Sequence, residues 1–141
     1  MFVGQVLAQA LDLHQGTLLA GNPYSMWAEQ ARAELETLLV ESCTEAAQAA
    51  YRVGDDATAR SLAQRAIDLD DCAEGAWQVV MEALERVGRR GDALTAYGRL
   101  RTAMLDRIGI EPSAASRAVY ARLLAEKDEE SLDALITRTG L

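Results

Sequence analysis

Gly88-Arg89-Arg90-Gly91-Asp92-Ala93-Leu94 decides how this chain folds, because its glycine and alanine stand 34 residues after an earlier pair, Gly54 and Ala59. In both copies the alanine follows the glycine by five positions. A glycine supplies the turn between two helices, and a small residue shortly after it lets the next helix approach its partner closely. The register extends backwards as well: Trp77 lies eleven residues before Gly88, and Cys43 eleven before Gly54. A period of this length describes a pair of antiparallel helices that cannot bury its apolar face alone and must stack on a neighbour. The expected fold is therefore all-α.

The spacing is that of a tetratricopeptide-like repeat, with two copies present. A third fails, since position 122 is Arg122 and not glycine. Two repeats are fewer than a stack ordinarily needs, so helices flanking them are expected to act as caps. The composition agrees: half of the 141 residues are hydrophobic, alanine and leucine dominate, and only two prolines occur. This length makes one compact domain.

Around the repeats the apolar spacing predicts the remaining elements. Val3, Val6, Leu7, Ala10 and Leu11 mark a short helix stopped by Gly16, and residues 21–25 are turn chemistry with Ser25 as a helix cap. A long helix is expected from Met26 to Val53, with Trp27, Ala31, Leu35, Leu38, Leu39, Ala46, Ala47, Ala50 and Val53 on its apolar stripe and room for a bend near Cys43. Asp55 or Asp56 caps the next helix, whose inner face holds Ala59, Leu62, Ala63, Ala66, Ile67 and Leu69. Asp70 and Asp71 end it and offer a cap for a helix from Cys72 to Val87 that buries Trp77, Val80, Met81 and Leu84. Its partner spans Asp92 to Arg107, with Leu94, Tyr97, Leu100, Met104 and Leu105 inward and Gly109 as a terminating glycine. Pro112 then blocks continuation and Ser113 caps a last helix with Ala118, Val119, Leu123 and Leu124 inside. The charged run Lys127 to Glu130 is expected to fray or break that helix before Leu132, Leu135 and Ile136. The domain so defined is 1–126, with 127–141 a charged extension carrying a short helix.

Several function classes are excluded. No stretch approaches the roughly 20 apolar residues of a membrane span, and the N-terminus has no basic start of a secretory signal. A cytoplasmic address follows. Cys43 and Cys72 lack metal-ligand spacing and read as reduced, packed thiols. His14 is the only histidine, without companion ligands for a metal or a nucleophile to activate. Asp55, Asp56, Asp70 and Asp71 read as helix caps, and Gly88-Arg89-Arg90-Gly91 is not a nucleotide-binding loop. No catalytic residue, cofactor or metal is expected, and the chain does not read as an enzyme.

Charge is unevenly distributed. The chain carries a net −8, yet residues 86–122 hold 8 basic and 3 acidic side chains, net +5. An acidic chain with one basic segment is a poor binder of phosphate backbones, so this piece is not expected to contact nucleic acid directly. Arg86, Arg89, Arg90, Arg99 and Arg101 could form a docking patch for an acidic protein surface. They could equally be the solvated rim of a helical hairpin, with Arg89 and Arg90 neutralising a helix C-terminus. Trp27 and Trp77 are expected in the core rather than along a peptide groove.

From about Leu13 to Glu126 the sequence resembles the bacterial transcriptional activator domain, the tetratricopeptide-like module of antibiotic regulatory proteins of the SARP type. The resemblance is carried by Leu13-x-x-Gly16-x-Leu18-Leu19, by Trp27, Arg32 and Leu35, by Gly54-Asp55 with Ala59, and by Trp77 to Met81. Its specific part is Gly88-Arg89-Arg90-x-x-Ala93-Leu94-x-x-Tyr97-x-x-Leu100 followed by Gly109-Ile110-Glu111-Pro112-Ser113. The chain departs from the pattern at His14, where tyrosine is common, and at Asp71, where proline is common. The resemblance implies a regulatory module that follows a winged-helix DNA-binding domain and makes contacts with a second copy, with other regulator domains or with the transcription machinery. The alternative is a free-standing scaffold that holds a peptide or protein in its concave groove. Its first-helix positions Glu41, Glu45, Gln48, Gln78 and Glu82 are unsuited to acidic ligands.

Overall fold

The computed structural model describes residues 25–140; the short helix expected over Val3 to Leu13, the turn before Ser25, and His14 lie outside them. Among the described residues there are five helices and no strand: α1 (Ser25–Arg52), α2 (Asp56–Leu69), α3 (Glu74–Arg86), α4 (Arg90–Arg107) and α5 (Ala114–Thr139). α1 packs on α2 and α3, α2 on α3, α3 on α4, and α5 on both α3 and α4. The pairs α1–α2 and α3–α4 are the two repeats, and α5 caps the second.

The two repeats end their first helices in the same way. Gly54 and Gly88 have φ of 85° and 83°, left-handed backbone that glycine adopts without a Cβ penalty. Gly54 N donates to Tyr51 O at 3.1 Å and Asp55 N to Ala50 O at 2.9 Å; Gly88 N donates to Glu85 O at 3.0 Å and Arg89 N to Leu84 O at 2.8 Å. These paired bonds satisfy the last carbonyls of α1 and α3. Asp55 then caps α2, accepting from Thr58 N at 3.2 Å. The next turn is made differently from the expectation. Asp70 accepts from Cys72 N at 3.0 Å, two residues before α3 begins, and α3 starts after Ala73 with no side-chain cap.

Small residues set the helix spacing. Ala47, Ala59, Ala63, Ala66, Ala76 and Ala93 are fully buried, and Trp77, Met81, Tyr97 and Leu100 fill the volume between the helices they bring together. Trp77 donates its indole N–H to Asp71 O at 2.8 Å, so its one polar atom is satisfied. Cys43, the counterpart of Trp77 in the first repeat, is buried, Cys72 is half-buried, and neither is bonded to the other.

Several expected inner positions are outside. Trp27 is 72% exposed, and Leu38 and Val53 are exposed with it. For Trp27 the reason is length: α1 has 28 residues and α2 has 14, so α2 lies along the C-terminal part of α1, where Leu39, Cys43 and Ala47 are buried; Ala28 is buried near the start, and Leu38 is on the outer side of the helix beside buried Leu39. Val53 falls on the turn itself. Leu105 lies on the last exposed turn of α4. Ala118 and Leu124 also face out, because α5 turns only a narrow stripe of Ser116, Val119 and Leu123 fully inward, flanked by half-buried Tyr120. No break occurs near Cys43 or over Lys127 to Glu130; α1 and α5 are continuous. Lysine and glutamate are good helix formers, and Glu126 and Glu130, one turn apart, both reach Arg90.

Candidate functional site

Arg86, Arg89, Arg90, Arg99 and Arg101, five of the eight arginines of the basic segment, do not converge on one surface. Arg86, in the last turn of α3, turns back to the first repeat. Its Nε donates to Asp56 Oδ1 at 2.9 Å, its Nη2 to Tyr51 O at 2.7 Å, and its guanidinium carbon lies 3.7 Å from the centre of the Tyr51 ring. It laces α3 to the α1–α2 turn by charge, hydrogen bond and cation–π contact together. The Asp56 bond holds its pKa above the ordinary arginine value.

Arg89, at the start of α4, pairs with Asp92 at 2.7 Å, both side chains half in solvent. Arg90 lies deeper and pairs with Glu130 and, at 3.8 Å, with Glu126. Eleven residues along α4, Arg101 holds Glu111 with two bonds of 2.7 and 2.8 Å, which keeps that carboxyl below its ordinary pKa. Arg99 is exposed on the outer face of α4 beside Thr95, Gly98, Thr102 and Asp106, with no ion pair among the described residues. The structure thus brings Arg86, Arg89 and Arg90 to one end of the molecule and sets Arg99 and Arg101 apart. All but Arg99 carry an acidic partner.

Two further arginines that sequence reasoning did not single out follow the same habit. Arg107 joins Asp70 and Asp71, and Arg122 joins Glu85 at 2.8 Å. Asp70, Asp71 and Cys72 form a cluster of potential ligands whose two carboxylates are both engaged by Arg107. Burial pushes the Cys72 thiol up from its ordinary pKa, so it is a poor thiolate donor.

The run Gly109-Ile110-Glu111-Pro112-Ser113 is the joint that seats α5. Gly109, at φ 69°, turns the chain after α4, Glu111 ties the loop to Arg101, and Pro112 is buried. Ser113 occupies the N-cap position of α5, but its hydroxyl does not cap; it donates to Glu74 Oε2 at 2.7 Å. The same oxygen accepts from Ser113 N at 2.9 Å and from Ser116 Oγ at 2.6 Å, and Gln78 Nε2 donates to Ser116 Oγ at 3.0 Å. Burial alone would raise the Glu74 pKa; the bonds from Ser116 and Ser113 outweigh it and hold the carboxyl below its ordinary value. Tyr97 of α4 and Tyr120 of α5 stack with ring centres 4.1 Å apart. A glutamate on α3 as the receptor for Ser113 and Ser116, about 40 positions away, has no local signature.

The sequence profile of the bacterial transcriptional activator domain matches residues 3–124. The chain belongs to that family. Among curated proteins it is similar to the transcriptional regulator RedD of Streptomyces coelicolor, 28% identical over 122 residues, which is 86% of this chain and 35% of RedD. The chain thus spans about a third of the length of this relative. Within the activator-domain match lie both repeats, the glycine turns and the whole joint from Gly109 to Ser113. Only the outer turns of α5 extend beyond it.

Proposed function

We propose that this activator domain is the protein-interaction module of a bacterial transcriptional regulator, cytoplasmic and without catalytic activity, which contacts a second copy, other regulator domains or the transcription machinery and does not read bases. The domain proper is taken as 1–126, with 127–141 an extension. The observation that carries the reading is the pairing of the basic segment. Phosphate binding needs free cations, whereas Arg86, Arg89, Arg90, Arg101, Arg107 and Arg122 are each engaged by a carboxylate on a chain of net charge −8. The scaffold alternative is less well supported, because Gln78, on the groove side of α3, already holds Ser116 of α5.

The docking patch of Arg86, Arg89, Arg90, Arg99 and Arg101 is centred on two of its members. Arg86 and Arg90 hold the body together, so Arg99 and the half-exposed Arg89 are the positions for an acidic partner. In a regulator carrying this domain, Arg99→Glu should weaken reporter activation while operator affinity and melting temperature stay as in the parent; unchanged activation removes Arg99 from the partner surface. The isolated chain should show no saturable binding to duplex DNA at physiological salt by fluorescence anisotropy. Sequence-specific binding there would refute the reading.

A further inference from the structure

One side of α1 carries apolar and acidic side chains that nothing in the described body answers. α2 and α3 are the helices that pack on α1, and its buried residues are Ala28, Leu39, Cys43 and Ala47. Turned away from these, Trp27, Glu34, Leu38, Glu41 and Glu45 are all exposed. Separated by whole or nearly whole helical turns, the five share one face, about 27 Å long at 1.5 Å per residue. Other carboxylates of this chain find an arginine: Asp56, Asp71, Glu85, Glu111 and Glu130 each hold one. Glu34, Glu41 and Glu45 make no ion pair among the described residues. Glu41 and Glu45, one turn apart, repel each other, and the cation of this face, Arg52, stands seven residues beyond Glu45.

The unanswered charge selects the occupant. An exposed tryptophan with a leucine could meet a membrane surface or a nucleobase, but both bring phosphates, which three free carboxylates repel. A second copy of this chain is a poor match, because six of the eight arginines of its basic segment are held by its own carboxylates. What fits is a cationic protein surface with apolar side chains set among its charges. We propose that the face of α1 from Trp27 to Glu45 is a docking surface for a helix of another protein, one whose apolar stripe is bordered by lysine or arginine. This surface has the opposite sign to the one at Arg99 and is independent of it.

The test uses the full 141-residue chain and two synthetic amphipathic helices with the same leucine stripe, one bordered by lysine and the other by glutamate. Fluorescence anisotropy should show saturable binding of the lysine-bordered helix, weakening with added salt, and none of the glutamate-bordered one. The variant Trp27→Ala, Leu38→Ala leaves the charge of the chain unchanged and should weaken binding by about tenfold or more. Glu41→Gln, Glu45→Gln should weaken it too and flatten its dependence on salt. Glu129→Gln, Asp133→Asn removes the same charge from exposed positions of α5 and should bind as the parent does. All the substituted side chains are exposed, so the circular dichroism of the variants should match the parent's. Four results would overturn the proposal: failure of the parent to bind the lysine-bordered helix, no discrimination between the two helices, a loss in the α5 variant equal to that in the α1 variants, or sedimentation showing a dimer that the α1 variants abolish.

Discussion

The carboxylate of Glu74 determines where α5 sits, because one of its oxygens accepts from Ser113 N, Ser113 Oγ and Ser116 Oγ at once. Its pKa and that of Glu111 are both held below the ordinary glutamate value of 4.5. A depressed carboxyl contributes stability that is present above its unfolded pKa and lost as pH falls through its folded one. The joint from Gly109 to Ser113 should therefore loosen as pH drops below about 4.5. Glu126, pushed up by neighbouring Glu85, works in the opposite direction. Melting temperature followed from neutral pH downward should fall more shallowly in Glu74→Gln, Glu111→Gln than in the parent, from a lower starting value at neutral pH. A parallel fall in both would show that these carboxyls do not supply the dependence. Ala93 is fully buried among large neighbours, and its place in the core was legible from the repeat register alone. Ala93→Leu should overpack that core and cost about 1–3 kcal/mol, read as a lowered denaturation midpoint at constant slope.

At the scale of elements, what was legible is what repeats. Gly54 and Gly88 announced two helix ends that prove to carry the same pair of bonds, and the inward faces of α2, α3 and much of α4 follow from spacing. What was not legible is length relative to a neighbour. The stripe from Trp27 to Leu38 has helical spacing, yet spacing cannot tell that α2 stops halfway along α1, and the indole lies outside. The charges of Lys127 to Glu130 suggest a break only in the absence of Arg90, which is distant in sequence and pairs with Glu126 and Glu130. α5 itself is held by little apolar surface, with Val119 and Leu123 its buried hydrophobic residues. Leu123 is fully buried, so Leu123→Ala should cost about 2–5 kcal/mol. Leu124, on the same turn but exposed, should change by under about 0.5 kcal/mol as Leu124→Ala. Similar midpoints for the two variants in urea would mean that α5 is not seated as described.

For the whole molecule, the sign and place of the charged segments could be read from the chain, but their mutual cancellation could not. Arg86 with Asp56, Arg122 with Glu85 and Arg90 with Glu130 join positions 30, 37 and 40 residues apart. The stacking of the repeats brings the first pair together, and the seating of α5 on the second repeat the other two. The interaction surface expected from charge is accordingly reduced to a few free positions, whereas Leu132, Leu135 and Ile136, expected on a short separate helix, lie on the continuous α5. The continuity of α5 has a mechanical consequence. It is a single rod of 26 residues, about 39 Å at 1.5 Å per residue, secured near its start by Glu74 and further along by Arg90. A load applied at the C-terminal end does not stretch the rod; it peels it. The Arg90 clamp meets the force first, the Tyr97–Tyr120 stack and Leu123 next, and the Glu74 hub last. In an optical trap pulling on Gly140 with Ser25 held, the parent should give way in two steps, and Arg90→Gln should lower the force of the first alone.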